Sequence, residues 1–229
     1  MNGPYAGLQR IETVEQLEAM LSDPSPGAVE TLRRLDGDLI ILGAGGGSLE
    51  TDPPEPQGEY SISCLGRERI FEYFSRRLGM PQAFIRLNYA CEMRYGALAD
   101  LARRVWAGEA IDLTMGHFNV IWQGDAAAMA LQAFGRVSSP PFIVNVTGPE
   151  LLSVRRVCEQ FAALMGKPVG FLGAEAPDAF LSDAQLGHRL FGPPRVSVQQ
   201  MIHWVADWVR RGGASLGKPT HFQVRDGRY

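Results

Sequence analysis

DLIILGAGGGSL, residues 38–49, is the stretch that decides how this chain folds. Its first half, 38–42, is a continuous apolar run between a charged residue and a glycine, which predicts a short buried strand. Gly43, Gly45 and Gly46 follow at once. A strand that runs into such a turn lets backbone N–H groups approach the phosphates of a dinucleotide. The glycines are therefore candidate cofactor-binding residues.

The segment that follows, ETDPPEP at residues 50–56, cannot form the body of a helix because prolines remove backbone donors and restrict the residues before them. A dinucleotide-binding turn of the Rossmann kind needs a helix at this point, whose N-terminus faces the pyrophosphate. The glycine run therefore has two interpretations, a cofactor-binding turn and a plain exit from strand to loop.

Composition places the chain among ordinary globular proteins. Its 229 residues are 45% hydrophobic and 21% charged, which suits one sizeable domain or a domain with a smaller lobe. The net charge of −3 argues against nucleic acid or an anionic membrane as a partner. No apolar run is long enough to span a membrane, and no signal peptide is evident, so we expect a cytoplasmic protein.

Cysteine and histidine usage indicates thiols rather than disulfides or a metal site. Cys64, Cys91 and Cys158 are odd in number and widely spaced, and the four histidines show no ligand spacing. We expect all three cysteines to be free and no metal to be bound.

Apolar periodicity predicts an alternation of helices and strands. Helices are expected at residues 13–22, 61–78, 96–107, 125–134, 153–165 and 198–210, and strands at 38–42, 82–90, 118–122, 142–146 and 169–172. This alternation favours an α/β fold with parallel pairing, in which the strands at 38–42 and 83–87 would be neighbours.

Several groups of residues from about Gly47 to Arg211 are informative because of their order along the chain. They are Tyr60, Ser63 and Glu68; Arg86, Asn88 and Tyr89; Asp125; FIVNVTG at 142–148; Leu152-Ser153-Val154; Gly166-Lys167-Pro168; and LFGPPRVSVQQMI at 190–202. This order resembles that of the NAD-dependent epimerase/dehydratases, the extended short-chain dehydrogenase/reductase family. The resemblance covers roughly the C-terminal two-thirds of the chain.

The resemblance implies a truncated Rossmann-like parallel sheet with helices, plus a small C-terminal α/β substrate lobe. The division implied is a helical segment at 1–37, an incomplete NAD(P)-binding part at 38–125 and a substrate lobe at 126–229, interleaved with it. NAD or NADP would be the cofactor and a sugar or sugar-like alcohol the substrate. The implied catalytic positions are Tyr60 and Cys64, the latter at the position of the family lysine. The implied cofactor-binding residues are Gly43, Gly45 and Gly46, and the implied substrate-binding residues are Asn88, Tyr89 and Asn145.

Four departures from the family pattern stand out. Only Gly47 to Glu59 separate the glycines from Tyr60, where the family has several strand–helix units. Leu49 occupies the third glycine position, and Cys64 occupies the position of the active-site lysine. The sequence His117-Phe118-Asn119 replaces the family's Arg-Asp-Phe.

Cys64 bears directly on catalysis. A phenol has an ordinary pKa of ~10, so a tyrosine acid/base needs an adjacent cation near neutral pH. The family's lysine supplies it one helical turn on, and a cysteine cannot. Tyr60 is therefore either the acid/base position or an amphipathic anchor, and Cys64 is more consistent with a small buried filler than with a nucleophile.

Alternatives remain open for other residues. Asn88 and Asn145 would either contact a ligand or satisfy backbone groups at strand ends. Glu150 and the cluster Arg67-Glu68-Arg69 are expected on solvated faces.

Two functions follow from the sequence. One is an NAD(P)-dependent oxidoreductase, epimerase or dehydratase; the other is a non-catalytic truncated relative that serves as a binding or interaction module. Because a sheet with missing strands exposes apolar surface, we also expect self-association, so a homo-oligomer is a candidate state.

Overall fold

The computed structural model of the chain describes residues 41–42, 47–176 and 178–224. The helix expected at 13–22, the helical segment at 1–37 and the glycines Gly43, Gly45 and Gly46 lie outside these residues. For the strand expected at 38–42, only β1 (Ile41–Leu42) is described.

The sheet that organises the site consists of two parallel strands. β2 (Ala83–Leu87) pairs with β7 (Phe142–Val146), with Ala83 opposite Phe142 and Leu87 opposite Val146. The long helix α1 (Gly58–Leu78) leads into β2 through Gly79, which has a φ of 63°. Glycine adopts this left-handed conformation without strain and ends the helix, as the sequence predicts.

The main core is formed by three amphipathic helices that pack on one another: α2 (Ala97–Ala107), α4 (Val154–Met165) and α6 (Val198–Arg210). Each buries one apolar stripe against the others. The largest side chains that they bury completely are Leu98, Leu101, Val105, Phe161, Met201 and Ile202.

Short strand pairs complete the fold. β3 (Ala90–Cys91) runs parallel to β6 (Ile121–Trp122), and β4 (Ile111–Asp112) runs parallel to β9 (Phe171–Leu172). β8 (Glu150–Ser153) pairs antiparallel with β5 (His117–Phe118) and with β1. α3 (Gln123–Ala133), with a 3-10 turn at Phe134–Arg136, and α5 (Gln185–Phe191) are the remaining helices described.

The expected pairing of the first strand with residues 83–87 is wrong. Ile41 lies opposite Leu151 and Leu42 opposite Glu150, so β1 pairs with β8 in the antiparallel sense. β2 pairs with β7 instead. An apolar run specifies that a strand is buried but not which distant strand it pairs with, which explains the error.

The α/β class and most element boundaries are confirmed. α4 begins after Ser153, whose Oγ accepts a hydrogen bond from the Arg156 amide, and it ends at Gly166. Ser197 and Gln200 form a capping box before α6. No helix among the described residues is long and apolar enough to cross a membrane.

The sequence analysis missed β4, β8 and α5. α5 has only seven residues, and Gly187 interrupts its apolar pattern. A Cβ at Gly187 would lie 2.8 Å from the carbonyl oxygen of Asn145, so the glycine lets α5 lie directly on β7. A glycine at this close contact thus weakens the helical signal in the sequence while permitting the packing.

Candidate functional site

An open cleft of about 580 Å³ lies between α1, the end of β2 and the proline-rich segment 54–57. It brings together both predicted catalytic residues and the ion pair that joins α1 to β2. The residues that matter most in its wall are Tyr60, Cys64, Arg67, Glu68, Arg86 and Phe180. This cleft is the candidate active site.

Tyr60 and Cys64 lie one helical turn apart in the first turns of α1, as the sequence predicts. The Tyr60 side chain is 64% exposed, and Cys64 is a half-buried free thiol. The Ser63 hydroxyl donates to the Tyr60 carbonyl at 2.7 Å, a bond within the helix. The structure thus places an accessible phenol in the cleft, with a thiol one helical turn away.

The Arg86 guanidinium connects three parts of the site. Its Nε and Nη2 donate to the two carboxylate oxygens of Glu68 at 3.1 and 2.8 Å, and its Nη1 donates to the carbonyl of Glu50 at 3.2 Å. These hydrogen bonds to Glu68 raise the pKa of Arg86. The expectation that Glu68 lies on a solvated face is wrong, because Arg86 on β2 draws it against the sheet.

Asn145 is buried beneath the loop that carries Glu50. Its side-chain amide donates to the carbonyls of Ser48 and Asp183 at 2.8 and 2.9 Å, and its backbone N–H donates to the Glu50 carboxylate at 2.8 Å. Only 3% of Asn145 is exposed. Asn145 therefore holds two loops at the carboxyl end of β7, and its predicted substrate contact stays a prediction.

Asn88 takes part in a second chain of amides at the same end of the sheet. Its Nδ2 donates to Oδ1 of Asn119 at 2.7 Å, and Asn119 donates in turn to the carbonyl of Ser182 at 2.8 Å. Asn119 was not among the predicted site residues; the available signal was its place in His117-Phe118-Asn119, the segment that replaces the family's Arg-Asp-Phe. Like Asn145, Asn88 makes contacts within its own chain, and its substrate role stays a prediction.

Tyr89 leaves β2 with a φ of 43°, uncommon for a residue with a side chain. Its hydroxyl donates to the Phe222 carbonyl at 3.5 Å, and its ring meets that of Phe222 edge-on at 6.2 Å between centroids. Tyr89 therefore packs against the C-terminal end of the described residues, and its predicted substrate contact stays a prediction.

Gly47 shows how tightly the end of the glycine run is packed. A Cβ at Gly47 would lie 2.4 Å from the carbonyl carbon of Ser182. The Ser48 amide donates to the Leu181 carbonyl, and the Asp183 amide donates to the Ser48 carbonyl. The segment from Gly47 thus pairs with residues 181–183.

Burial perturbs three groups away from the cleft. It raises the pKa of the Cys91 thiol to about 11 and that of the Cys158 thiol to about 12. It also raises the pKa of the Glu150 carboxyl. Glu150 was expected on a solvated face, and that expectation is wrong because the residue is half-buried in β8. All three cysteines are free, as predicted.

Two other features bear on the expected chemistry. Among the described residues, no group of three His, Cys, Asp or Glu side chains is arranged to hold a metal ion.

The Asp125 carboxylate accepts hydrogen bonds from the backbone amides of Arg195 and Val196 at 3.0 and 2.9 Å. Asp125 therefore holds the proline-containing turn before α6 in place.

Comparison with known proteins identifies the fold. No family model and no curated protein matches the chain in sequence. Among solved structures, it is similar to UDP-glucose 4-epimerase from Thermus thermophilus in complex with NAD, with 22% identity and a TM-score of 0.62. It is also similar to UDP-glucuronic acid 4-epimerase from Bacillus cereus in complex with NAD, with 16% identity and a TM-score of 0.63.

A third similar structure is UDP-glucose 4-epimerase from Thermotoga maritima with UDP-glucose, with 17% identity and a TM-score of 0.61. The matches cover 77%, 75% and 76% of this chain but 62%, 57% and 61% of those structures, in the order given. About three-quarters of this chain therefore shares the fold of these epimerases, and the chain spans about three-fifths of the length of those structures. The truncated α/β architecture predicted from the sequence is confirmed.

Proposed function

We propose that this chain is an NAD-dependent epimerase/dehydratase-like protein that binds a nucleotide sugar or sugar-like alcohol in the cleft beside Tyr60. The observation that carries this proposal is the position of Tyr60, which opens into the cleft from the first turn of α1. The similarity to epimerases solved with NAD and UDP-glucose supports the ligand class. A cytoplasmic location and the division near residue 125 belong to the same proposal.

The cofactor implied is NAD or NADP, which would accept and return hydride when bound. Tyr60 would lie at its reacting end, and Gly43, Gly45 and Gly46 would hold the pyrophosphate. Tyr60 would supply the phenol beside the reacting end of the cofactor. Cys64 supplies no cation beside that phenol, so the residues present do not fit proton transfer near neutral pH. We therefore derive no catalytic step through the cofactor.

Arg67 and Arg86 both bring a positive charge to the cleft, and they differ in how firmly each guanidinium is held. Arg86 is held by Glu68, so its charge is largely compensated. Arg67 is exposed in the cleft wall one turn beyond Ser63. A phosphate-bearing ligand would pair most readily with Arg67, since pairing with Arg86 would compete with Glu68.

Turnover in an engineered variant tests the catalytic form of the proposal. Cys64→Lys restores the cation one turn after Tyr60, so we expect it to support NAD-linked oxidation of a nucleotide sugar, followed as NADH absorbance. Cys64→Ala is the matched control, and Tyr60→Phe in the Cys64→Lys background should abolish the gain. If Cys64→Lys binds the ligand but shows no turnover, the result would favour the second function, a binding module without turnover.

That second function is a binding module without turnover. Two observations favour it: the thiol at Cys64, and the engagement of Asn88 and Asn145 with their own chain. It predicts that UDP-glucose binds the natural chain with the same affinity whether or not NAD is present. Dependence of sugar binding on NAD would contradict it.

A further inference from the structure

β2 pairs along only one of its two edges. The amide of Asn88, directly after the strand, donates to the Val146 carbonyl of β7 at 3.1 Å. Backbone groups alternate in direction along a strand, so those of Phe84 and Arg86 also point towards β7. Among the described residues, no other strand pairs with β2. The residues whose backbone groups point away from β7, which we call the open edge of β2, are Ala83, Ile85 and Leu87.

The outer edge of β7, by contrast, is covered by the chain itself. The backbone N–H of Asn145 points away from β2 and donates to the Glu50 carboxylate at 2.8 Å. On the same edge, a Cβ at Gly187 of α5 would lie 2.8 Å from the Asn145 carbonyl oxygen. Natural sheets cover or block their edges because a bare row of N–H and C=O groups accepts further strands. Within the described part of the chain, nothing of this kind caps the open edge of β2.

The open edge of β2 faces the cleft that contains Tyr60. The side chains of Ile85 and Leu87 lie on one face of the sheet and that of Arg86 lies on the other, and all three line the cleft. Because residues from both faces of the strand border it, the cleft lies at the edge of the strand. α1 forms the opposite wall. The five residues of β2 extend over about 17 Å, so the edge offers a site for a segment of similar length.

The walls of the cleft determine what can reach this edge. Their charges balance, with Glu55 and Glu68 against Arg67 and Arg86, so the cleft favours an uncharged segment. The edge lies between α1 and the proline-rich segment, and β2 of a second copy, enclosed in the same way, cannot approach it. A single extended segment can. The apolar side chains available to pack on it include Leu65, Leu87 and Phe180.

We propose that the open edge of β2 binds an extended, uncharged segment of a partner polypeptide, which pairs with β2 as an added strand. Main-chain hydrogen bonds supply the affinity in this mode of recognition, and contacts to alternate side chains supply the specificity. Leu65 and Phe180 provide such contacts here. The ligand is of a different class from the nucleotide sugar proposed above, and the two would compete for the cleft.

Hydrogen exchange at single amides, followed by NMR on the unmodified chain, tests the open edge. Without ligand, we expect slow exchange at Phe84 and Arg86, which bond to β7, and fast exchange at Ile85 and Leu87. A capped peptide of about seven alternating valines and threonines, at millimolar concentration, should slow Ile85 and Leu87 about tenfold or more. Slow exchange at these two amides before the peptide is added, or no slowing after it, would overturn the proposal.

A matched pair of variants tests the hydrogen bonds themselves. Leu87→Ala removes the side chain but keeps the outward N–H, whereas Leu87→Pro also removes that N–H and spares the bonds to β7. Fluorescence anisotropy of the labelled peptide should give a dissociation constant about tenfold higher for Leu87→Pro than for Leu87→Ala. Equal affinities would overturn the proposal.

Methylation of every backbone nitrogen of the peptide gives the same contrast on the unmodified chain, should Leu87→Pro fail to fold. The methylated peptide cannot donate hydrogen bonds, so we expect it not to bind. Equal binding of both peptides would overturn the proposal. These measurements contain neither NAD nor UDP-glucose, so a negative result is distinguishable from a failure of the proposed function.

Discussion

Arg86 on β2 binds the Glu68 carboxylate on α1 through two hydrogen bonds of 3.1 and 2.8 Å, and both side chains are 24% exposed. This pair fixes the helix that carries Tyr60 against the sheet. Such two-point contacts are more specific in geometry than single ion pairs.

Removal of Glu68 should destabilise the protein. Glu68→Ala leaves the partly buried Arg86 charge without its partner, so we expect a loss of about 1–3 kcal/mol in the free energy of unfolding, measured by urea denaturation. Glu72→Ala is the control, because Glu72 lies one turn further on and pairs with Arg69 and Arg76, whose side chains are 63% and 58% exposed. An equal loss in both variants would contradict the structural role of Arg86.

Two glycine substitutions should have opposite effects. Gly47→Ala would place a Cβ 2.4 Å from the Ser182 carbonyl carbon, and we expect it to destabilise the protein by about 1–3 kcal/mol. Gly66→Ala lies inside α1 with nothing within 4 Å of its Cβ, so it should stabilise the protein by about 0.5–1 kcal/mol. Thermal unfolding of both variants measures the contrast. A stable Gly47→Ala would show that the packing of the Gly47 loop on Ser182 is wrong.

The three cysteines should differ in reactivity. Burial raises the pKa of Cys91 and Cys158 to about 11 and about 12, which keeps both as thiols at neutral pH and out of contact with reagents. Cys64 is half-buried in the open cleft. We expect iodoacetamide to modify Cys64 first in the folded protein, as located by peptide mass spectrometry. Early modification of Cys158 would be incompatible with the core described.

Glu150 should make stability depend on pH. Its pKa is raised from an ordinary value of 4.5 by burial, so its contribution to stability is fully present below that value and is lost as pH rises through the folded-state pKa. Glu150→Gln should therefore raise Tm at pH ~8 and leave it unchanged at pH ~4. A gain that is the same at both pH values would argue against burial as the cause.

Local signals in the sequence predicted most elements. Ser153 and Gly166 bound α4, and α6 follows Ser197, because caps and apolar periodicity act over a few neighbouring residues. The pairing of β1 with β8 depends on residues more than a hundred positions apart and had no such signal. The fold class was therefore accessible from the sequence, whereas this strand partner was not.

In the candidate site, too, local spacing was predictable from the sequence and long-range pairing was not. The spacing of Tyr60 and Cys64 fixes one helical turn between them, and the structure has that arrangement. Glu68 was misjudged because its partner Arg86 lies 18 residues away on a different element, and only the packing of α1 on β2 brings the two together. The hydrogen bonds of Asn119 likewise depend on tertiary packing, which brings Asn119 next to Asn88 and Ser182.

Calorimetric titration of the full chain with NAD tests the proposed function most directly. We predict saturable binding in the millimolar range or tighter, and binding of UDP-glucose that weakens when Arg67 is changed to alanine. Arg69→Ala is the control, because Arg69 is not among the lining residues of the cleft and pairs with Glu72, so its removal should leave the affinity for UDP-glucose unchanged. No saturable heat with NAD or NADP at millimolar concentration would contradict the assignment as an NAD-dependent epimerase/dehydratase-like protein.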